Sequence, residues 1–502
     1  MTEGKKMRKI VIITVIIAIS AITAAFAAEG ADERMLTVYL KGVYSAKVSL
    51  IPFEGPKAIY LNPVAEVSGV KNDETATIKI PGQYLPGEFV LRIDYRAKET
   101  DSPYPAERVI YINKQDIELF VNPPYINNDE KIRFNAGPVR SGAPRRGTSN
   151  GAGETENTVY SVFMKENNIK RMPMDLLRQF LLNYDQPESK LYTEAVKEFE
   201  ERRIEYNAWL AEQAEKYREL YVSRLFQFQY IPAVDLSGDE KERMNQIIKN
   251  YFEGIDFSDP MIIRSRELSK FMDVYMGLYG MQATTLDLRD SLFTQAGSVA
   301  CEKASKGNPQ VYGWMVDYFY SGYETYNIKK GIEMLQQHIN NSNCLTSKKQ
   351  QIIQRLESIS RLVPKALSPD FVMKDNIGKS FQFHKWKPKA RYKLLLFWTT
   401  TCANCLKLMD ELSLWHNLTA NKKKLDIVAV NLDEPEIGTE KWESAIVNLF
   451  AWKHLHAKGG VNSAPARDYA ILSTPAMFLI GSKDNVIVSA PGSLEQLVKD
   501  LQ

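Results

Sequence analysis

Lys393-Leu-Leu-Leu-Phe-Trp398-Thr-Thr-Thr-Cys402-Ala-Asn-Cys405-Leu-Lys-Leu-Met-Asp-Glu-Leu-Ser-Leu-Trp415 changes its period half-way along. Leu394 to Trp398 is an unbroken apolar run, as a buried strand requires. Thr399 to Thr401 is a polar turn, and beyond it Leu408, Leu412 and Trp415 recur at three- and four-residue spacing, so a helix starts near Cys402. The two cysteines therefore stand on the first turn of a helix that leaves a strand. Free amides and the positive end of the helix dipole favour a thiolate at the first of them. The two sulfurs can join and part without rebuilding of the backbone, which is what a dithiol–disulfide exchanger needs.

The same spacing serves other chemistry. Zinc needs two further ligands at compatible spacing, and the other cysteines, Cys301 and Cys344, lie far off in the chain. Haem attachment needs His directly after the second cysteine, and Leu406 stands there. Redox exchange and a static disulfide at a helix start are the readings left, and the strand-turn-helix context favours exchange.

Around this stretch, residues 366–502 read as one α/β unit. Asp375-Asn-Ile-Gly378-Lys379 is a hairpin turn. Leu425-Asp-Ile-Val-Ala-Val-Asn431 is a second buried strand, and its β-α-β order implies a parallel pair. A helical insert follows around Trp442 to Trp452. Thr474-Pro475 then precedes a strand from Ala476 to Ile480, Val486 to Val488 forms another, and a closing helix runs from Ser493.

Pro369-Asp370-Phe371 at the entry, Phe397-Trp398 with Cys402-Ala-Asn-Cys405, and Thr474-Pro475 before a hydrophobic strand resemble the thioredoxin superfamily. Within it they resemble the TlpA/ResA-like extracytoplasmic thiol–disulfide oxidoreductases. The resemblance implies a thioredoxin-like α/β domain in which Cys402 attacks a client disulfide and Cys405 resolves the mixed disulfide. It implies a cis Pro475 that faces the disulfide and shapes the docking groove, with Thr474 and Trp398 as substrate-binding residues. It also implies protein disulfides as clients and leaves room for a membrane-linked electron donor; no cofactor or metal is expected. The chain departs from the family at four places. Thr401 replaces the usual Trp before the first cysteine, and Asn404 the usual Pro before the second. Leu396 stands at the buried acid of ordinary thioredoxins, and Leu408 at the glutamate three residues after the second cysteine. Asp410 and Glu411 are the nearest acids, and helical spacing does not bring them to the sulfurs.

The amino terminus carries an address. Lys5, Lys6, Arg8 and Lys9 precede the apolar run Ile10 to Ala24, and Ala25-Phe26-Ala27 offers a small-x-small cleavage site. Residues 1–27 are thus expected to be a signal peptide of an exported, periplasmic protein, which stays membrane-anchored if uncleaved. Without that segment the formal charge of +3 falls to about zero, and nothing points to nucleic acid. In an oxidising compartment four cysteines suggest two pairs. Cys301 with Cys344 would staple a helical region, by about 4 kcal/mol in the chain-entropy model; two separate buried thiols are the alternative.

The 502 residues exceed one ordinary domain. Residues 28–135 carry period-two runs such as Leu36-Val38-Leu40 and Phe89-Leu91-Ile93, separated by turn signals, and predict a small antiparallel β-sandwich. Residues 136–158, rich in Gly, Ser, Arg and Pro, read as a flexible linker. From 159 to 365 the period is helical; Tyr192, Val196, Phe199, Tyr206 and Leu210 share one face, and the aromatic stretch Tyr312 to Tyr320 is expected to fill a helical core. His454 and His456 read as surface histidines rather than a metal site. The fold expected is multidomain α+β: a β-sandwich, a helical domain and a thioredoxin-like α/β domain. The function expected is exported thiol–disulfide exchange, reductive in direction. The rival is a non-catalytic binding or assembly protein on a thioredoxin-like scaffold, and a third reading is an isomerase that reshuffles clients held by the helices.

Overall fold

The computed structural model describes residues 33–56, 62–129, 131–134, 156–434, 439–449, 451–471 and 473–502. The expected signal segment and residues 136–155 of the expected linker lie outside them. The chain divides into two compact units, one running to Met281 with Lys306–Val311, the other holding Gln282–Ser305 and Tyr312–Gln502.

In the first unit, alternation along the strands builds a sandwich. Its strands are β1 (Arg34–Leu40), β2 (Ser45–Pro52), β3 (Ala65–Val70), β4 (Thr75–Ile80), β5 (Gly87–Arg96), β6 (Tyr104–Ile112), β7 (Ile117–Val121) and β8 (Arg133–Phe134). They form two four-stranded sheets, ordered β4-β1-β7-β8 and β3-β2-β5-β6. Leu36, Val38 and Leu40 of one sheet and Phe89, Leu91 and Ile93 of the other meet in one apolar core. The sandwich is not wholly antiparallel: β1 and β7 run parallel, with Leu36 opposite Ile117. Residue-level alternation fixes which face a strand buries, and does not fix its direction.

Among the described residues this unit also has the α-helices α1 (Glu156–Asn183), α2 (Lys190–Lys216), α3 (Glu240–Asn250) and α4 (Arg266–Gly280). Asp239 and Glu242 start α3 with a reciprocal capping box. Buried Glu88 of β5 accepts from the Arg266 amide at 3.0 Å and pairs with its guanidinium, which ties α4 to the sandwich.

The second unit opens with α5 (Leu286–Ala304), α6 (Pro309–Tyr326, whose first residues belong to the first unit), α7 (Lys329–Ile339) and α8 (Lys349–Arg361). Every residue from Tyr312 to Tyr320 is buried, so the aromatic stretch is core, as its periodicity predicts. Gly313 is there because the backbone at Leu345 comes so close that a Cβ would lie 2.2 Å from its carbonyl. Buried Asp317 pins the same segment by accepting from the Ser347 amide at 3.2 Å and hydroxyl at 2.7 Å.

The α/β part follows. The hairpin β9 (Val372–Lys374) and β10 (Ser380–Gln382) turns through Gly378, whose φ of +80° suits glycine. A five-stranded sheet then has the order β13-β12-β11-β14-β15, with β11 (Tyr392–Trp398), β12 (Leu425–Asn431), β13 (Lys453–His456), β14 (Ala476–Gly481) and β15 (Ile487–Ser489). β11, β12 and β13 are parallel, and β14 and β15 antiparallel to their neighbours. Both faces of β11 are buried: Leu394, Leu396 and Trp398 pack on α9 (Ala403–His416), while Leu395 and Phe397 fill the other side. That is why its sequence is continuously apolar. α10 (Thr439–Ile446) and α11 (Leu494–Asp500) finish the domain, the latter capped by the Ser493 hydroxyl.

Lys393 enters this core. It is fully buried, donating to the Phe383 carbonyl at 3.1 Å and Asn485 Oδ1 at 2.5 Å. Burial, with Lys387 adding, pushes its ammonium pKa down to about 8.

Candidate functional site

Topology gathers the site at one sheet edge. β11 ends at Trp398 opposite Asn431, the end of the parallel β12, and β14 runs antiparallel, so its first residues return to the same edge. The carboxyl ends of parallel strands are where open α/β sheets place their sites. Here that edge collects the β11–α9 turn, the segment after β12 and Thr474-Pro475.

Cys402 and Cys405 are joined in a disulfide, with Cα atoms 5.2 Å apart. Cys402 is the N-cap of α9, and its Sγ accepts from the Cys405 amide at 3.1 Å. The two sulfurs differ in access. Cys402 is half-buried with exposed neighbours Thr401 and Ala403, while Cys405 is fully buried in the core behind α9. An amide and a helix N-terminus directed at Cys402 favour its anionic form. The Thr474 carbonyl lies 3.3 Å from Cys402 Sγ, the Thr474–Pro475 bond is cis, and the Thr399 and Thr474 hydroxyls are 3.4 Å apart. Thr474 and Pro475 are half-buried beside the sulfur. The structure thus brings together Cys402, Cys405, Thr474 and Pro475.

Trp398 is not part of that surface. Its ring is fully buried against α9, with no hydrogen-bond partner for Nε1 among the described residues. Strand alternation sends it into the core, so it supports the cysteine helix from below and is out of a client's reach.

A residue the sequence reading passed over stands behind the turn. Asp433 is buried, and its Oδ1 accepts from the Thr400 amide at 2.8 Å while Oδ2 accepts from Asn431 Nδ2 at 3.0 Å. Its own amide donates to Asn431 Oδ1 at 3.1 Å. This carboxylate holds the loop that delivers Cys402. The signal was an acid two residues beyond a buried parallel strand, at the edge where the cysteines had to be. Asp410 and Glu411 are exposed on α9, as their spacing predicts.

Of the two arrangements left open for Cys301 and Cys344, the staple is absent: both are free, buried thiols. Burial pushes the Cys301 thiol well above its ordinary pKa, with Cys344 adding to it, and pushes Cys344 up to about 11. The histidines of β13 are not both on the surface. His454 is buried and donates from Nε2 to the Leu449 carbonyl at 2.8 Å, and half-buried His456 packs 5.3 Å from the Trp442 ring. Among the described residues no three His, Cys, Asp or Glu side chains cluster as a metal site would need.

Residues 390–486 match the family model described as thioredoxin-like. The C-terminal domain is thioredoxin-like. Three similar solved structures come from Bacteroides species. A thiol-disulfide oxidoreductase from Bacteroides fragilis is 26% identical over 27% of this chain and 96% of its own, with a TM-score of 0.24. The thioredoxin domain of a thiol-disulfide oxidoreductase from Bacteroides vulgatus is 24% identical over 28% of this chain and 94% of its own, at 0.24. A thioredoxin-like protein from Bacteroides caccae covers 54% of this chain and 96% of its own at 14% identity and 0.35. No curated protein matches the chain.

Proposed function

We propose that the chain is a thiol–disulfide oxidoreductase acting on protein disulfides. One observation carries this reading: the disulfide at the start of α9 has one accessible sulfur, receiving a helix amide, and one buried sulfur behind it. In the reductive direction the Cys402 thiolate attacks one sulfur of a client disulfide. A mixed disulfide forms and the other client sulfur leaves as thiolate. The Cys405 thiolate then attacks Cys402 Sγ, the second client sulfur leaves, and the Cys402–Cys405 disulfide re-forms. Two electrons pass to the client, and its two thiolates take up protons from solvent. An extended client segment would pair with the backbone at Thr474, whose carbonyl already lies beside the sulfur.

The reading extends to a TlpA/ResA-like protein outside the cytoplasm, re-reduced by a membrane-linked donor. The basic head and apolar run before Ala28 support export. Among the described residues no helix is long and apolar enough to cross a membrane. The test is insulin reduction by the wild type and by Cys402→Ser. Turnover by the wild type alone supports the mechanism, and activity that survives Cys402→Ser overturns it. A reduction potential near thioredoxin's, about −270 mV, supports the reductive direction, and one near about −120 mV reverses it.

A further inference from the structure

The first unit holds a cavity of 460 Å³, within the range of small-molecule sites. Its walls come from α1, α3, α4 and the segment between α2 and α3. Phe228, Leu236, Ile247 and Phe271 make them apolar. Val274 and Met281, both largely exposed, stand at its open side. Such a space is filled by an apolar body.

The charged groups in and beside the cavity restrict the rest of the ligand. Lys270 is paired with Glu267 at 2.7 Å. Arg171 donates to the Gln229 carbonyl at 3.1 Å and to its Oε1 at 3.2 Å. Asp175 is shared between Arg171 at 3.5 Å and Arg178 at 3.6 Å, which is too long for a hydrogen bond. Arg178, which lines the cavity, makes no hydrogen bond among the described residues. Arg178 thus has only the distant carboxylate of Asp175, and it is a planar five-donor group that suits a carboxylate. Burial, opposed by Asp175 and aided by Arg171, pushes the Arg178 guanidinium below its ordinary pKa, so a further anion there would be welcome.

We infer that this cavity binds an amphipathic monocarboxylate, its apolar chain between α1, α3 and α4 and its carboxylate on Arg178. The site lies in a different unit from the cysteines and needs no redox step. Isothermal titration of the full-length chain with dodecanoate, below its micelle concentration, tests it against dodecyltrimethylammonium as the cation of equal chain length. Saturable one-to-one binding of dodecanoate is expected, weakened about tenfold or more by Arg178→Gln and largely kept by Arg178→Lys. Val274→Trp, a change at an exposed position on the open side, should block it. Melting curves establish that each variant is folded. Absence of saturable binding overturns the site. Equal binding of the cation, or an undiminished Arg178→Gln, overturns the assignment of the carboxylate to Arg178.

Discussion

The second unit contains two cysteine pairs with opposite chemistry. Cys402 and Cys405 sit where a helix begins at a sheet edge, one sulfur half-exposed and bonded to an amide. Cys301 and Cys344 sit buried near Tyr312 and Tyr323, where burial outweighs the Thr346 amide and the Lys349 charge that act on Cys344. The first environment lowers the cost of a thiolate and the second raises it. Two thiols on one chain make a reactive site only where the backbone supplies donors and solvent supplies access.

The largest effect that would break this contrast is at Cys402. Cys402→Ser should reduce insulin turnover to background, and Cys405→Ser should accumulate a mixed disulfide visible on a non-reducing gel. Next comes labelling. In the reduced protein at pH 7, iodoacetamide should modify Cys402 at least about a thousandfold faster than Cys301 or Cys344, as measured by peptide mass mapping. Cys344 should become reactive only as pH approaches about 11 or the unit unfolds. Comparable native rates would erase the distinction. Asp433→Ala should lower turnover about tenfold by loosening the Thr400 loop, while Asp433→Asn, which keeps an acceptor, should lose less. Gly313→Ala should cost about 1–3 kcal/mol, because the new methyl meets Leu345 backbone. It should also speed Cys344 labelling and leave insulin turnover at low temperature unchanged.

The smallest effect is on pH. Burial lowers the pKa of His338, His416 and His454 below the ordinary imidazole value. His416 and His454 each use Nε2 on a carbonyl and leave a buried Nδ1 without a partner among the described residues. Their neutral forms are the ones the fold accommodates, so the unfolded chain binds more protons below about pH 6.5. The melting temperature should therefore hold above that pH and fall as pH drops below it. His454→Gln should flatten the dependence.

Much of the site was readable in the primary structure because it is local. Strand, turn and helix lie within one stretch, and a change from an unbroken apolar run to a 3–4 spacing announces the junction at Cys402. Thr474-Pro475 lies 70 residues on in the chain and could be placed only through family resemblance. Asp433 escaped because its role depends on how the segment after β12 meets the Thr400 amide, a tertiary fact. Trp398 was misassigned for a related reason: its neighbour Thr399 faces the site, but alternation turns the indole the other way. Cys301 and Cys344 stayed undecided in sequence because pairing is a matter of environment, and a burial level is not written in a spacing. The parallel β1–β7 pair likewise left no mark on the alternation of its strands.

The bond from the Cys405 amide to Cys402 Sγ makes the accessible sulfur also the first stitch of its own helix. A thiolate accepts an amide proton better than a neutral sulfur does. Adding electrons to the pair therefore tightens the winding of α9, and removing them relaxes it. The helix start becomes a gauge of the oxidation state. Deuterium exchange at the Cys405 amide should slow when the protein is reduced, so that the electron inventory can be read from the backbone without touching a thiol.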